Sequence, residues 1–178
     1  MEFELEKLFS SYIKENQLDL ELSYFMPPGY ENAFGTFDIT VKTLFINKRM
    51  LGSRPDYEVL YYFYHELRHA VQYSCPQRFN SSIQKSIHYV ILYNGNCFKL
   101  INGKWKNCHL SGEEEYFICA YENLPYELDA HEYACNIVKA LLPEYQAEIE
   151  RLYHSWLPQN TFHPYELEEI FRRIDQAI

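Results

Sequence analysis

At 178 residues the chain is long enough for one domain with a sizeable core, or for one domain carrying a generous insertion. Its 47% hydrophobic and 23% charged residues exclude a disordered chain, and a net charge of −9 argues against nucleic-acid binding, which needs a basic face. Aromatic residues reach 17%, with 17 Tyr and 12 Phe, which reads as a core padded at its edges by rings with polar tips. No basic segment followed by an apolar stretch opens the chain. The longest aliphatic run, residues 89–93, is too short to cross a bilayer, so the expectation is a cytoplasmic protein with no membrane segment. Five cysteines, an odd number without a CxxC pair, point to free thiols in a reducing compartment. Cys97 and Cys108 are the exception, able to face each other across a hairpin.

In chain order, Phe3, Leu5, Leu8, Phe9, Tyr12 and Ile13 recur at near-helical spacing, which predicts an amphipathic helix over the first 15 or so residues. Residues 18–25 alternate apolar with polar side chains, as a strand ended by Pro27-Pro28-Gly29. Two further strand-like stretches follow near 33–39 and 41–47. Ser53 is then the expected N-cap of a helix from about Pro55 to Tyr73. From 81 to 124 the pattern predicts an inserted β-meander, with turns at Asn94-Gly95 and Asn102-Gly103 and a helix over about 114–120. A second long helix, capped by Asn123 with Pro125 in its first turn, should run to about Leu142. Pro143 interrupts it, a helix continues to about Trp156, and His163-Pro164 opens a last helix.

The chemistry is concentrated in His65-Glu66-Leu67-Arg68-His69, an HExxH motif. Residues i and i+4 share one helix face, so the two imidazoles can converge on a single metal ion. Zinc lowers the pKa of a bound water to roughly 7, and Glu66, next to the first histidine, can accept its proton as general base. The surrounding run VLYYFYHELRHAVQY is apolar on both sides, as expected of a helix buried beneath a site. The bland alternative, histidines satisfying only local hydrogen bonds, leaves buried imidazoles at a cost.

Catalytic zinc usually takes three protein ligands and keeps one position open. The best third candidate is Glu127, in the first turn of the second long helix, where Ala130 and Ala134 form a small-residue stripe that permits close approach. A carboxylate there is also favoured by the helix macrodipole alone. His131 lies one turn further on the same face. It is an alternative third ligand, a group supporting a ligand, or a donor to a developing oxyanion. His109 and the many tyrosines are further candidates for that donor.

With these residues in view, the chain resembles the gluzincins, and among them the minimal ImmA/IrrE-like metallopeptidases. The resemblance covers roughly residues 33–143, through FGTFDITVKTLFIN, HELRHAVQ and ELDAHEYACNIVKALLP. It implies an α+β, zincin-like single domain over residues 1–178, in which the HExxH helix packs under a small mixed or antiparallel sheet. The segment at about 81–124 is then an insertion, and the helices at about 144–178 complete the domain. By position, the resemblance implies His65 and His69 as histidine ligands, Glu127 as the glutamate ligand and Glu66 as the catalytic acid/base. It also implies that the strand over 42–47 lines the cleft and pairs with extended substrate. Relatives usually carry Gly where Arg68 stands, and Asp or Asn where His131 stands. The implied activity is zinc-dependent hydrolysis of an intracellular peptide or protein, with a regulatory protein as a partner. The alternative is a zinc-binding regulatory or interaction module on the same scaffold with little turnover.

Overall fold

The computed structural model describes residues 4–178, and over these the chain is α+β. Phe3, counted into the first apolar face, lies outside the described residues. No helix among the described residues is long and apolar enough to cross a membrane. The chain divides into two compact units: one runs through Pro76 and resumes over Ala130–Ser155, the other comprises Gln77–Asp129 and Trp156–Ile178. The stretch at about 81–124 lies in the second unit.

In the first unit, helix α1 (Leu5–Asn16) buries Leu5, Phe9 and Tyr12, the apolar stripe expected from their spacing. It stops at Gln17, which enters the left-handed region at φ 56° and turns its N–H back to the last carbonyls. Strands β1 (Glu21–Ser23), β2 (Gly35–Asp38) and β3 (Thr43–Ile46) form a mixed sheet in the order β1-β3-β2. Here β3 runs parallel to β1 and antiparallel to β2. The expectation that the strand over 42–47 presents an edge to substrate is therefore corrected. Both sides of β3 are hydrogen-bonded to neighbours, and Leu44 and Ile46 are fully buried.

A short helix, α2 (Lys48–Leu51), escaped the sequence reading. Asn47 makes it: its side-chain oxygen accepts from Met50 N at 3.2 Å, while its amide nitrogen donates to the Glu31 and Ala33 carbonyls. Helix α3 (Asp56–Ser74) follows, and its N-cap is Pro55 in extended conformation rather than Ser53. Proline supplies a fixed φ for the entry, and Asp56 and Glu58 complement the positive helix end. The helix is buried nearly all round, from Leu60 to Gln72, as its continuous apolar sequence requires. It packs against β2, β3 and helix α7 (Gln146–Ser155).

In the second unit, helix α4 (Ser81–Ser86) replaces what was expected to be the start of the meander. Asn80 caps it by accepting from Ile83 N. The meander itself forms as β4 (Tyr89–Ile91), β5 (Asn96–Ile101) and β6 (Lys104–His109), paired antiparallel in that order. Asn102 and Gly103, at φ 51° and 73°, turn β5 into β6 with the backbone twist that a two-residue hairpin needs. Cys97 and Cys108 stand opposite each other in the register as free thiols, and burial pushes the Cys97 thiol up to about 12. Helix α5 (Glu114–Glu122) and helix α8 (Pro164–Ala177) complete this unit.

Helix α6 (Pro125–Leu141) runs unbroken through the boundary, which falls between Asp129 and Ala130. Asn123 does not cap it. The Leu124 carbonyl accepts the first helical bonds, from Glu127 N and Leu128 N. Asn123 instead ends α5 and binds the chain at 160–162, donating to the Asn160 carbonyl and accepting from Phe162 N.

Candidate metal centre

The HExxH residues lie in the middle of α3, where helical periodicity puts His65 and His69 on one face. Both are buried, at 6% and 7% exposure, and their Nε2 atoms approach to 2.9 Å. The two rings stand perpendicular, at 89°, with centroids 4.5 Å apart. His69 Nδ1 lies 2.8 Å from the side-chain oxygen of Gln72, one turn further along and fully buried. In that contact the amide oxygen accepts and the imidazole donates, which needs a proton on Nδ1.

His131 comes to the same place from α6. Its ring centroid is 4.2 Å from that of His65, and its Nδ1 is 3.0 Å from the hydroxyl of Tyr61 on α3. Glu127, one helical turn before His131, completes a buried cluster. One ligand atom each from His65, Glu127 and His131 lie within 4.8 Å of one another. Glu127 and His131 are each only 5% exposed. This group can hold a metal ion. His69 is not one of its three members and joins it through the contact with His65.

Of the residues singled out from sequence, His65, Glu127 and His131 are thus brought together, with His69 beside them. Glu66 is on the neighbouring face of α3, partly exposed, against β2. Its Cγ would lie 2.7 Å from a Cβ built on Gly35, so the glycine makes room for this carboxylate. Tyr30 faces the same region. Burial first, then the Asp38 and Glu66 carboxylates, raise its pKa and keep it a neutral phenol able to donate. In the second unit, burial and then Glu127 and Glu122 raise the pKa of Tyr93 in the same way. His109 is on β6, its Nδ1 3.1 Å from the Asn96 side chain, and takes no part in the cluster.

Three supporting residues were missed in the sequence. Gln72 stands three residues after a motif histidine, a spacing that could have identified it. Tyr61 and Gly35 had no such local signal. The Arg68 guanidinium lies 4.5 Å over the ring of Tyr133 on α6, a cation–π contact joining the two helices that carry the cluster.

The fold and the site define an α+β protein with a buried His-Glu-His group suited to a metal ion. No family model, curated protein or solved structure matches the chain.

Proposed function

We propose that this protein is a zinc-dependent metallopeptidase of the gluzincin type, resembling the ImmA/IrrE-like enzymes, that hydrolyses peptide bonds in an intracellular protein or peptide. One observation carries the reading. A buried imidazole–carboxylate donor set converges next to a partly exposed carboxylate, Glu66, on the same helix.

The donors fit zinc, which favours neutral imidazole nitrogen and carboxylate oxygen in a closed apolar setting. The resemblance assigns the ion to His65, His69 and Glu127; of these, His65 and Glu127 belong with His131 to the buried group that could hold it, and His69 reaches that group through His65, its Nδ1 against the Gln72 oxygen. When bound, the ion supplies Lewis acidity, polarising a carbonyl and rendering water acidic near neutral pH. Glu66 takes the proton from the attacking water and passes it to the leaving amine. The Gly35 pocket holds the stem of Glu66 in place for both transfers. Tyr30, kept neutral beside Glu66, is placed to donate a hydrogen bond to developing negative charge.

The test is Glu66→Gln. The variant should retain zinc at wild-type stoichiometry and lose cleavage of a mixed peptide library. Equal inertness of wild type and variant, with zinc bound in both, would favour the second reading, a zinc-binding regulatory module. A specific observation speaks for that second reading: the buried group includes His131, a donor that the resemblance does not assign to a catalytic ion.

A further inference from the structure

The β4-β5-β6 meander carries two of the cysteines, and its register sets Cys97 of β5 directly opposite Cys108 of β6. Directly opposed residues of an antiparallel pair project from one face of the sheet. Lys99, two residues after Cys97 and so on that same face, pairs with Asp175 of α8. The cysteines therefore lie on the side that α8 covers, where the positive charge of Arg173 acts on the Cys97 thiol. The two thiols differ in access. Cys97 is fully buried, its thiol donating to the Gly95 carbonyl at 3.5 Å, whereas Cys108 is half-buried.

The Leu110 N–H donates to the Gly95 carbonyl, so residues 95 and 110 are a hydrogen-bonded pair of the ladder. Hydrogen-bonded pairs recur every second residue, which makes Cys97 and Cys108 such a pair as well. Their Cα atoms are then about 5.5 Å apart, inside the range of roughly 4.4–6.8 Å that a disulfide spans. The Cβ atoms of such a pair stand about 5.5 Å apart, and a disulfide brings them to about 3.8 Å. Closing the bond draws the two side chains together against the ladder. A bond closed under that strain is readily reduced, the property of a reversible link and not of a permanent staple.

We propose that Cys97 and Cys108 form a redox-sensitive pair, which a peroxide converts to a cross-strand disulfide and a small thiol restores. The accessible sulfur reacts first: the Cys108 thiol and hydrogen peroxide give the Cys108 sulfenic acid and water. Cys97 Sγ then attacks the sulfenic sulfur. The S–S bond forms, the S–O bond breaks, and the Cys97 proton leaves with the hydroxyl as a second water. Cys97 needs no opening to solvent for this step, because the sulfur it attacks is its cross-strand neighbour. Two molecules of glutathione reverse the link by exchange, restoring both thiols and leaving as glutathione disulfide. The link closes a loop of about 12 residues around Asn102-Gly103, and such a loop disfavours opening of the hairpin by at most about 100-fold.

The test treats the full chain with hydrogen peroxide and maps the products by mass spectrometry without reduction. The wild type should lose two hydrogen atoms and yield one linked peptide pair containing Cys97 and Cys108, which glutathione separates again. Hydrogen exchange of the β5 and β6 amides should slow by about 10-fold or more in the linked form. Cys108→Ser, at a half-buried position, should form no such link and leave Cys97 a thiol, with circular dichroism checking its fold. The wild-type mapping stands by itself if that variant folds poorly. A Cys108 sulfinic acid in the wild type with Cys97 still a thiol would overturn the inference. So would a link to Cys75, Cys119 or Cys135 in its place, no loss of hydrogen at all, or a link that glutathione does not reduce.

Discussion

Gly35 of β2 lies against Glu66, and the space between them is too small for a methyl group. A Cβ there would stand 2.7 Å from Glu66 Cγ, 3.0 Å from the Phe45 carbonyl oxygen and 3.3 Å from Ile46 Cδ1. Carbon atoms settle at about 3.5–4.0 Å, so Gly35→Ala requires the stem of Glu66 to retreat by about 1 Å. The Phe45 oxygen belongs to the paired strand β3 and gives way less easily, so the side chain takes most of the displacement. A misplacement of about 1 Å in a reacting group costs about 100-fold in rate, equivalent to about 2.7 kcal/mol on the barrier. Overpacking adds a loss of stability of about 1–3 kcal/mol. The assay is turnover on a mixed peptide library, with bound zinc and the unfolding midpoint measured on the same sample. Zinc should remain at wild-type stoichiometry, because the pressure falls on Glu66 and not on the imidazoles. Turnover within threefold of wild type in a fully loaded variant would refute the reasoning, and so would loss of zinc.

Zinc removal should lower the melting temperature by roughly 5–10 °C at a free metal level about 100-fold above Kd, whereas His65→Ala/His69→Ala should show no zinc-dependent shift in calorimetry. Arg68→Ala, which loses the cation–π contact with Tyr133, should cost about 1 kcal/mol in urea denaturation, with Arg68→Lys recovering part of it. Ala134 is fully buried on α6, so Ala134→Leu should destabilise by about 1–3 kcal/mol through overpacking, read in the same assay. The Cys97 thiol, fully buried and pushed up to about 12, should resist alkylation in the native protein at pH 8 and react fully in denaturant. Because this acid is weaker folded than unfolded, its contribution to stability is complete below about pH 9 and declines as pH rises toward 12. Urea midpoints of wild type and Cys97→Ala across pH 8–10 should converge as pH rises.

What was legible in the sequence was local. The long helices show as periodic apolar residues, and the motif histidines and the Glu127–His131 pair show as i, i+4 neighbours. The hairpin at Asn102-Gly103 shows because only a few residues accept positive φ. The order of the first sheet was not legible. Nothing in the residues over 42–47 says that β1, more than 20 residues earlier, will pair parallel to β3 and cover the side expected to be open. The short helices α2 and α4 were missed because four to six residues carry no period, although their asparagine caps were visible. Asn123 misled for the opposite reason: a good capping residue found other backbone partners, at 119 and 160–162.

Arg68 shows how such a long-range term changes the meaning of a residue. Where the proteins the sequence resembles usually carry glycine, this chain has arginine. Glycine admits a neighbouring helix by having no side chain. Arginine can join the same two helices if its flat guanidinium has an aromatic face to lie on, and Tyr133 on α6 provides one at 4.5 Å. The two residues are therefore read as a pair, and so are His131 and Tyr61. The buried phenol of Tyr61 on α3 lies 3.0 Å from His131 Nδ1. Arg68 and His131 thus each contact a residue of the other helix of the α3–α6 pair. On that argument, Arg68→Gly should not act as a repair: with Tyr133 retained, it should be no more stable than Arg68→Ala in urea.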